Sequence, residues 1–493
     1  MGHIAKQSVK GSIYTYLGAA LGFVNTVLLM PKLFSTEQVG LVSLLIAISI
    51  IFAQLGSMGF PNVLSRVFPH FRDDKNNHNG MLSLGFLAST AGFIVSFSLF
   101  LLSRNYIIAE NIEKSALLVN NLFYLPIIIF FSIYFIFLDN YTKALFDAVS
   151  GTFLREIAGR VFILIAIGLF YFNIIDFEGF VALYVLAYVL PTFLISFLLI
   201  LRKQFKLTRI NRALLLKHKK EIIRVALFGI ISGFSGTAVM NIDKYMITHY
   251  LGLSSAGIYS ISFYFGALIL MPARAMRKIG SIVIAEAWAK NDMKSIEHIY
   301  SKSTITQLII GLFLFLGIWT NIDSIFKMIP DYADGKYVIF FVGLGYVLEM
   351  AGGLSGMILL NSKYYTVFSY LALFNVAFIV ISNIIFIPIW QLTGGAFASF
   401  LTIILFVLIR FIFLWKKFKL NPYSHKHLII IAFAIISFVA VYFIPEIENV
   451  FLSIFVKGSI LSIVFIGLLF ITKISEDMNE QLLKILRKII LRK

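Results

Sequence analysis

The sequence contains no cysteine and very little charge. Without cysteine the chain cannot form disulfides, use thiol catalysis or build thiolate metal sites. Charged residues make up only 13% of the 493 residues and hydrophobic residues 59%, whereas a soluble domain carries about 25% charged residues. A soluble chain of this length would need more charge to cover its surface, so the composition indicates a protein whose outside faces lipid.

Catalytic and metal-binding motifs are also missing. There is no G-x-x-x-x-G-K-[ST] loop for nucleotide phosphates and no H-E-x-x-H. The eight histidines are scattered without metal-ligand spacing. We therefore expect no cofactor and no bound metal. The segments predicted on the outer side are short, whereas a membrane enzyme of glycan assembly usually presents its acid and base groups in a larger loop. This argues against an enzyme.

Apolar runs of about twenty residues predict an all-α, multi-pass membrane protein, because that length crosses a bilayer as a helix. The first run, from Ile13 to Met30, is too long for the apolar region of a signal peptide and is interpreted as the first membrane helix. About fourteen spans are predicted, at 12–30, 39–60, 81–103, 117–138, 155–172, 179–201, 225–250, 256–273, 304–322, 338–360, 365–388, 393–415, 428–444 and 450–472.

The basic residues set the predicted orientation. With these spans, 34 of the 42 Lys and Arg residues fall in alternate segments that include the N-terminus, five fall in the opposite segments and three within spans. The positive-inside rule therefore predicts an even number of helices, with both termini in the cytoplasm and the protein in the bacterial inner membrane. The net charge of +18 is assigned to topology and to anionic lipid, not to nucleic acid.

A weak internal repeat predicts the domain organisation. Gly40 follows the first helix in a context similar to that of Gly257 after the seventh, an offset of 217 residues. This indicates two parallel six-helix halves. The predicted limits are an N-terminal lobe (1–201), a basic cytoplasmic linker with an amphipathic helix (202–224), a C-terminal lobe (225–427), two additional helices (428–472) and a basic amphipathic cytoplasmic tail (473–493).

Polar and charged groups at membrane depth are the candidate functional residues, because a charge at the bilayer centre costs roughly 2.5–3.5 kcal/mol on insertion scales. Guanidinium groups in a polar cavity would suit an anionic headgroup. The substrate-binding candidates are Asn25, Arg66, Arg155, Arg160, Asn241, Asp243, Lys244 and Arg274. The candidates for energetic coupling are Asp243, Glu349 and Arg410. The alternative is structural: arginines at inner helix ends anchor the helices by snorkelling, and Asp243 and Lys244 pair with other helices.

Four short segments carry a family resemblance. They are LFSTEQVGL at 33–41, LGSMGF at 55–60 followed by NVLSR at 62–66, FLRE at 153–156 followed by Arg160, and NIDKYMI at 241–247 leading to YLG at 250–252 and GIY at 257–259. In their order and spacing these segments resemble the O-antigen-type polysaccharide flippases of the multidrug/oligosaccharidyl-lipid/polysaccharide exporter superfamily.

The resemblance implies two six-helix lobes plus two C-terminal helices. It further implies alternating access and export of an undecaprenyl-diphosphate-linked glycan, a repeat unit of O-antigen, capsule or exopolysaccharide, to the outer leaflet. A glycan polymerase and a chain-length regulator would then be partners. Two alternatives remain open: a multidrug or cation antiporter of the same fold, and a membrane enzyme of envelope glycan assembly. The excess of intramembrane arginine over acidic residues favours an anionic substrate over a cationic one.

Overall fold

The computed structural model describes residues 2–111, 115–445, 447–474 and 479–480, and all regular structure within these ranges is helical. Most of the predicted amphipathic tail lies outside the described residues. The helices are α1 (Gly2–Phe23), α2 (Met30–Leu33), α3 (Thr36–Gly56), α4 (Phe60–Phe71), α5 (Met81–Asn111), α6 (Ala116–Asn121), α7 (Tyr124–Ala144), α8 (Ser150–Phe153), α9 (Gly159–Tyr171), α10 (Phe177–Leu201), α11 (Arg212–Leu251), α12 (Leu253–Ile269), α13 (Met271–Ala289), α14 (Met293–Trp319), α15 (Ile322–Met328), α16 (Lys336–Ala351), α17 (Ser355–Asn361), α18 (Tyr365–Phe418), α19 (His425–Tyr442) and α20 (Val450–Thr472). Two π-helical turns cover Val24–Leu29 and Leu154–Ala158, and 3-10 turns cover Asn77–Gly80 and Pro330–Gly335.

The helices of the described residues are compatible with the predicted number of about fourteen membrane crossings. By length and hydropathy ten helices can cross a membrane, and the number is twelve if each of two bent helix pairs is one crossing. Within α18, Gln391 has φ 52° and ψ −129°, so this long helix is two helices joined by a break. The stretch Ser150–Tyr171 continues through the π turn from α8 into α9 and is about 32 Å long at 1.5 Å per residue, enough to span. The predicted all-α, multi-pass fold is confirmed.

The contacts divide the chain into two compact units. Unit 1 comprises Met1–Ser260 with Ala372–Ile384, and unit 2 comprises Ile261–Leu371 with Ile385–Lys493. Helix α11, predicted to open the second lobe, is therefore grouped with the first six helices, and it packs along α3 and α4. The predicted domain limits stay predictions.

The basic linker does not form a separate helix. Residues 204–211 have no regular structure, and α11 then begins after Asn211, whose side chain accepts a hydrogen bond from the Leu214 amide as an N-cap. It continues without interruption to Leu251. The basic second half of the linker is therefore the first part of a 40-residue helix that goes on to include the seventh predicted span.

A glycine pair in unit 1 joins the two segments of the predicted repeat. A Cβ atom on Gly40 in α3 would lie 2.0 Å from the carbonyl oxygen of Leu253, and one on Gly257 in α12 would lie 1.9 Å from that of Thr36. Both residue pairs, Thr36 with Leu253 and Gly40 with Gly257, are separated by 217 positions, the offset found in the sequence. The contact is therefore reciprocal, as in a two-fold interface, and only glycine permits it.

Breaks occur where glycine takes up left-handed backbone. Gly59 has φ +64° and lies in the break between α3 and α4. Its missing Cβ would lie 2.1 Å from the Ala226 carbonyl oxygen, so a larger residue would not fit here. In unit 2, Gly353 has φ +56° in the turn between α16 and α17, where the chain bends by 54°. The GGLSG run at 352–356 thus coincides with this bend.

Candidate substrate-binding site

The first candidate site lies in unit 1, at the π turn between α8 and α9. This turn carries Arg155 and Glu156, and the first turn of α9 carries Arg160. Arg160 Nη2 donates to Glu156 Oε2 at 2.8 Å, and its Nη1 donates to the carbonyl oxygen of Gly18 in α1. π-helical turns often occur at functional sites because they redirect side chains. Here the turn places two guanidinium groups and one carboxylate at the same point of the unit.

These three side chains line a cavity of about 470 Å³, which Gln54, Tyr188 and Thr237 also border. Arg155 is exposed, with its guanidinium carbon 5.9 Å from the ring centre of Phe135. The side chains of Arg160 and Glu156 are 26% and 27% exposed. With two positive groups against one negative group, the cavity wall carries a net positive charge and retains access to solvent.

Asn25 connects the first π turn of unit 1 to the start of α9. It lies in the turn Val24–Leu29, is buried, and donates from Nδ2 to the Arg160 carbonyl oxygen at 2.8 Å. Its Oδ1 atom is buried and has no hydrogen-bond partner among the described residues. Asn25 therefore holds the backbone at Arg160, and its role in substrate binding stays a prediction. The structure supports a positioning role for it.

A buried polar cluster surrounds Asp243 in α11. Its Oδ2 atom accepts a hydrogen bond from the Tyr259 hydroxyl at 2.8 Å, and its Oδ1 atom accepts one from Asn383 Nδ2 at 2.7 Å. All three residues are buried. The neighbouring Lys244 is half-buried, as is Asn241, whose side chain donates to the Thr237 carbonyl oxygen. The cost of placing Asp243 in the membrane is therefore offset by two donors from α12 and α18.

Unit 2 contains a second cluster of two arginines and one glutamate. Glu349 in α16 accepts hydrogen bonds from Arg277 Nη2 in α13 at 2.7 Å and from both terminal nitrogens of Arg410 in α18. The Arg410 guanidinium carbon also lies 4.4 Å from the ring centre of Phe406. The side chains of Arg410 and Glu349 are only 5% and 13% exposed, and that of Arg277 is 26% exposed.

The two coupling candidates Glu349 and Arg410, which showed no obvious partners in the sequence, are thus partners of each other. Arg277, the third member, was not among the sequence candidates. Its spacing of three residues from Arg274 on one helix was the available signal, because residues three apart lie on the same face.

Arg66 and Arg274 are both exposed, Arg66 on α4 of unit 1 and Arg274 on α13 of unit 2. The structure therefore groups Arg155 with Arg160, and Glu349 with Arg410, and leaves Arg66 and Arg274 outside both clusters. Their predicted role depends on a ligand that reaches exposed side chains.

The fold is that of a known transporter class. The lipid II flippase MurJ in its inward closed conformation is 16% identical, with 95% of this chain and 100% of that chain covered and a TM-score of 0.72. An inward-facing multidrug-resistance transporter of the MATE family is 14% identical, with 83% and 94% covered and a TM-score of 0.60. A transporter of the MOP superfamily from Pyrococcus furiosus is 16% identical, with 85% of this chain and 96% of that chain covered and a TM-score of 0.51.

These likenesses define the class: a multi-pass membrane protein with the fold of the MOP exporter superfamily. The polysaccharide biosynthesis protein family matches residues 7–273, more than half of the sequence, and the chain belongs to that family. None of the curated proteins matches the chain. The predicted family resemblance is confirmed.

Proposed function

We propose that this protein is a flippase that moves an undecaprenyl-diphosphate-linked oligosaccharide from the inner to the outer leaflet by alternating access. The observation that carries the proposal is the cavity of unit 1, in which Arg155 and Arg160 present guanidinium groups beside a single carboxylate. In a family of polysaccharide biosynthesis proteins, the expected ligand for such groups is an anionic, lipid-linked glycan. The similar fold of MurJ, a lipid II flippase, supports the same choice.

The chemistry of the headgroup explains the preference for arginine. A diphosphate brings about two negative charges into a region of low dielectric constant, and fixed guanidinium groups offset part of its desolvation with paired N–H donors. We propose that Arg66 and Arg274 bind the diphosphate first, at the cytoplasmic entrance. Both are exposed and both follow a proline by a few residues, Pro61 and Pro272. Arg155 and Arg160 then hold it inside the cavity.

The energy for transport must come from outside the chain, because the sequence has no ATPase motif. The membrane potential supplies roughly 2.3 kcal/mol per charge per 100 mV, and an inside-negative potential favours outward movement of an anion. Asp243 is the proposed coupling residue, since its carboxylate is buried at the predicted membrane depth, where Tyr259 and Asn383 donate hydrogen bonds to it. For Glu349 and Arg410 the mutual pairing supports a structural role, and their coupling role stays a prediction.

The proposal includes a location and partners. The protein would lie in the bacterial inner membrane with both termini in the cytoplasm, where its substrate is assembled, and a glycan polymerase and a chain-length regulator would take over the product. Reporter fusions after Ile210 and after Lys493 should both report cytoplasm. A periplasmic signal at either position would contradict the orientation.

Reconstituted transport tests the function. Proteoliposomes that contain the purified chain and a labelled polyprenyl-diphosphate oligosaccharide should expose the glycan to an impermeant glycosidase faster than protein-free liposomes. Arg66→Ala and Arg274→Ala should each slow this exposure at least tenfold, and Lys at either position should restore part of it. Arg104→Ala is the matched control. It replaces an exposed arginine of α5 that is predicted to lie on the outer side of the membrane, and it should behave as wild type.

The same assay separates the alternatives. A cation antiporter would leave the glycan unexposed and instead move an organic cation against a proton or sodium gradient. A membrane enzyme would change the glycan covalently, which mass spectrometry of the recovered lipid would detect. Either result would overturn the flippase proposal. Full transport by Arg66→Ala and Arg274→Ala would refute only their role in diphosphate binding and leave them as helix anchors.

A further inference from the structure

Three potential metal ligands meet in unit 1 where the end of α4 faces the first turns of α11. His70 is the residue before the last of α4, and His218 and Glu221 lie three residues apart on α11. One nitrogen or carboxylate oxygen from each residue lies within 4.8 Å of the other two. The rings of His70 and His218 stack with their centres 4.5 Å apart, and His218 Nδ1 is 3.4 Å from Glu221 Oε2.

The packing of the two helices holds these ligands in place. A Cβ atom on Gly59 would lie 2.1 Å from the Ala226 carbonyl oxygen, so α4 and α11 touch backbone to backbone. Phe71, next to His70, and Val225, one turn beyond Glu221, belong to the same buried apolar cluster. The two helices therefore fix the backbone positions of the ligands, and only their side chains have to move when a metal binds.

We propose that His70, His218 and Glu221 form a binding site for a divalent transition metal such as Zn²⁺ that ties the end of α4 to α11. Two imidazoles and one carboxylate are a ligand set that zinc uses, with a fourth position left for water. Two nitrogens bound to tetrahedral zinc lie about 3.3 Å apart. The side chains therefore need to approach one another by at most about 1.5 Å, and the stacked rings must turn so that a nitrogen of each points at the metal. Exposed His70 can make most of that movement.

The neighbouring charges select the kind of metal. Lys217, Lys219 and Lys220 are exposed beside the site on α11 and repel any cation. Mg²⁺ and Ca²⁺ depend on several oxygen ligands, of which the site offers one residue, so the repulsion excludes them. Zn²⁺, Ni²⁺ and Cu²⁺ form strong bonds to imidazole and are the ions that can bind here.

The spacing of the histidines along the sequence predicted no metal site. That spacing does not report on this cluster, because its ligands come from two distant segments. His70 and His218 lie on helices α4 and α11, which are separated by several membrane spans. Only the fold brings them together. His218 and Glu221, at i and i+3, are a common surface arrangement and did not mark a site by themselves.

Metal titration of the full-length chain in lipid nanodiscs tests the site. Zn²⁺ in competition with a chromophoric chelator should bind one equivalent, and Co²⁺ should give the visible absorption of a tetrahedral complex. His70→Ala and His218→Ala should each weaken Zn²⁺ binding at least tenfold, and Glu221→Gln severalfold. His298→Ala removes another exposed helical histidine beside an acidic residue and should bind as wild type.

Thermal unfolding distinguishes a site on two helices from a site on α11 alone. Zn²⁺ should raise the Tm of the wild type, because it binds only the folded chain, and should not raise that of His70→Ala. If His70→Ala has a lower Tm without metal, His70→Gln serves instead. The proposal is overturned if the wild type binds no zinc, if His70→Ala and His70→Gln respond to zinc as the wild type does, or if His298→Ala loses the response equally.

Discussion

The two clusters of arginine and glutamate have the same composition and opposite surroundings. In unit 1, Glu156 and Arg160 stand one turn apart on the same stretch of helix and line an open cavity. In unit 2, Glu349 and Arg410 join two helices far apart in the sequence and are almost completely enclosed. A pair within one helix contributes little to the fold, whereas an enclosed pair between helices makes the fold depend on it. We therefore expect unit 2 to use its cluster mainly for stability and unit 1 to use its cluster for the substrate.

The strongest test of this comparison is the removal of Arg410. Arg410→Ala leaves the Glu349 carboxylate buried with only the partly exposed Arg277, and breaking a buried pair costs about 3–5 kcal/mol. Unfolding in detergent should show this loss as a lower midpoint. In a double-mutant cycle, Glu349→Ala should cost less in the Arg410→Ala background than in the wild type, because the two charges interact. Wild-type stability of Arg410→Ala would contradict the structural role.

Removal of Arg160, the counterpart of Arg410 in unit 1, should reduce transport much more than stability. Arg160→Ala is expected to lower the free energy of unfolding by about 1 kcal/mol, because its partner is partly exposed, and to reduce glycan export at least tenfold. Arg160→Lys keeps the charge but loses the paired donors and should recover export only in part. Surface glycan measured at matched protein levels provides the readout. Loss of folded protein comparable to that of Arg410→Ala would erase the distinction between the units.

The ion pair of Asp147 with Arg202 lies outside the membrane helices and provides a reference for the stability effects of both clusters. Burial raises the pKa of Asp147, but hydrogen bonds from Ser150 and Arg202 outweigh it and lower the pKa below the ordinary value of 3.8. The folded state therefore gains stability above that value and loses it as the pH falls through the lowered pKa. We expect Asp147→Asn to cost no more than about 1 kcal/mol at pH 7 and to flatten the acid limb of the stability profile below pH 4. An unchanged acid limb would contradict the assignment.

The smallest effect on stability is expected at Arg155. Its contact with the Phe135 ring, at 5.9 Å, is an exposed cation–π interaction worth about 0.5 kcal/mol. Arg155→Ala should therefore fold like the wild type while still reducing export severalfold, since the guanidinium group faces the cavity. Arg155→Lys should export more than Arg155→Ala. If both variants export normally, Arg155 only anchors its helix and the cavity binds its ligand through Arg160.

The sequence was sufficient for the helices and insufficient for their partners. Twenty-residue apolar runs and the distribution of Lys and Arg predicted about fourteen helices, because bilayer thickness and topology act on composition directly. The pairing of Glu349 with Arg410 was not visible, since it depends on how α16 packs against α18. The same holds for the contacts of Asp243 with Tyr259 and Asn383. The π turn that orients Arg155 and Arg160 leaves no residue pattern, because one added residue in a helical turn uses ordinary side chains.

The glycine contact between the turns after the first and seventh helices has an evolutionary consequence. Gly40 packs against Leu253, and Gly257 packs against Thr36. The two segments therefore contact each other through equivalent residues. Such reciprocity is normal between two identical subunits related by a two-fold axis. A gene duplication that fused two copies of a shorter ancestor would preserve this contact. Before the fusion, the contact would join the same segment of two identical chains; after it, the contact joins two segments of one chain.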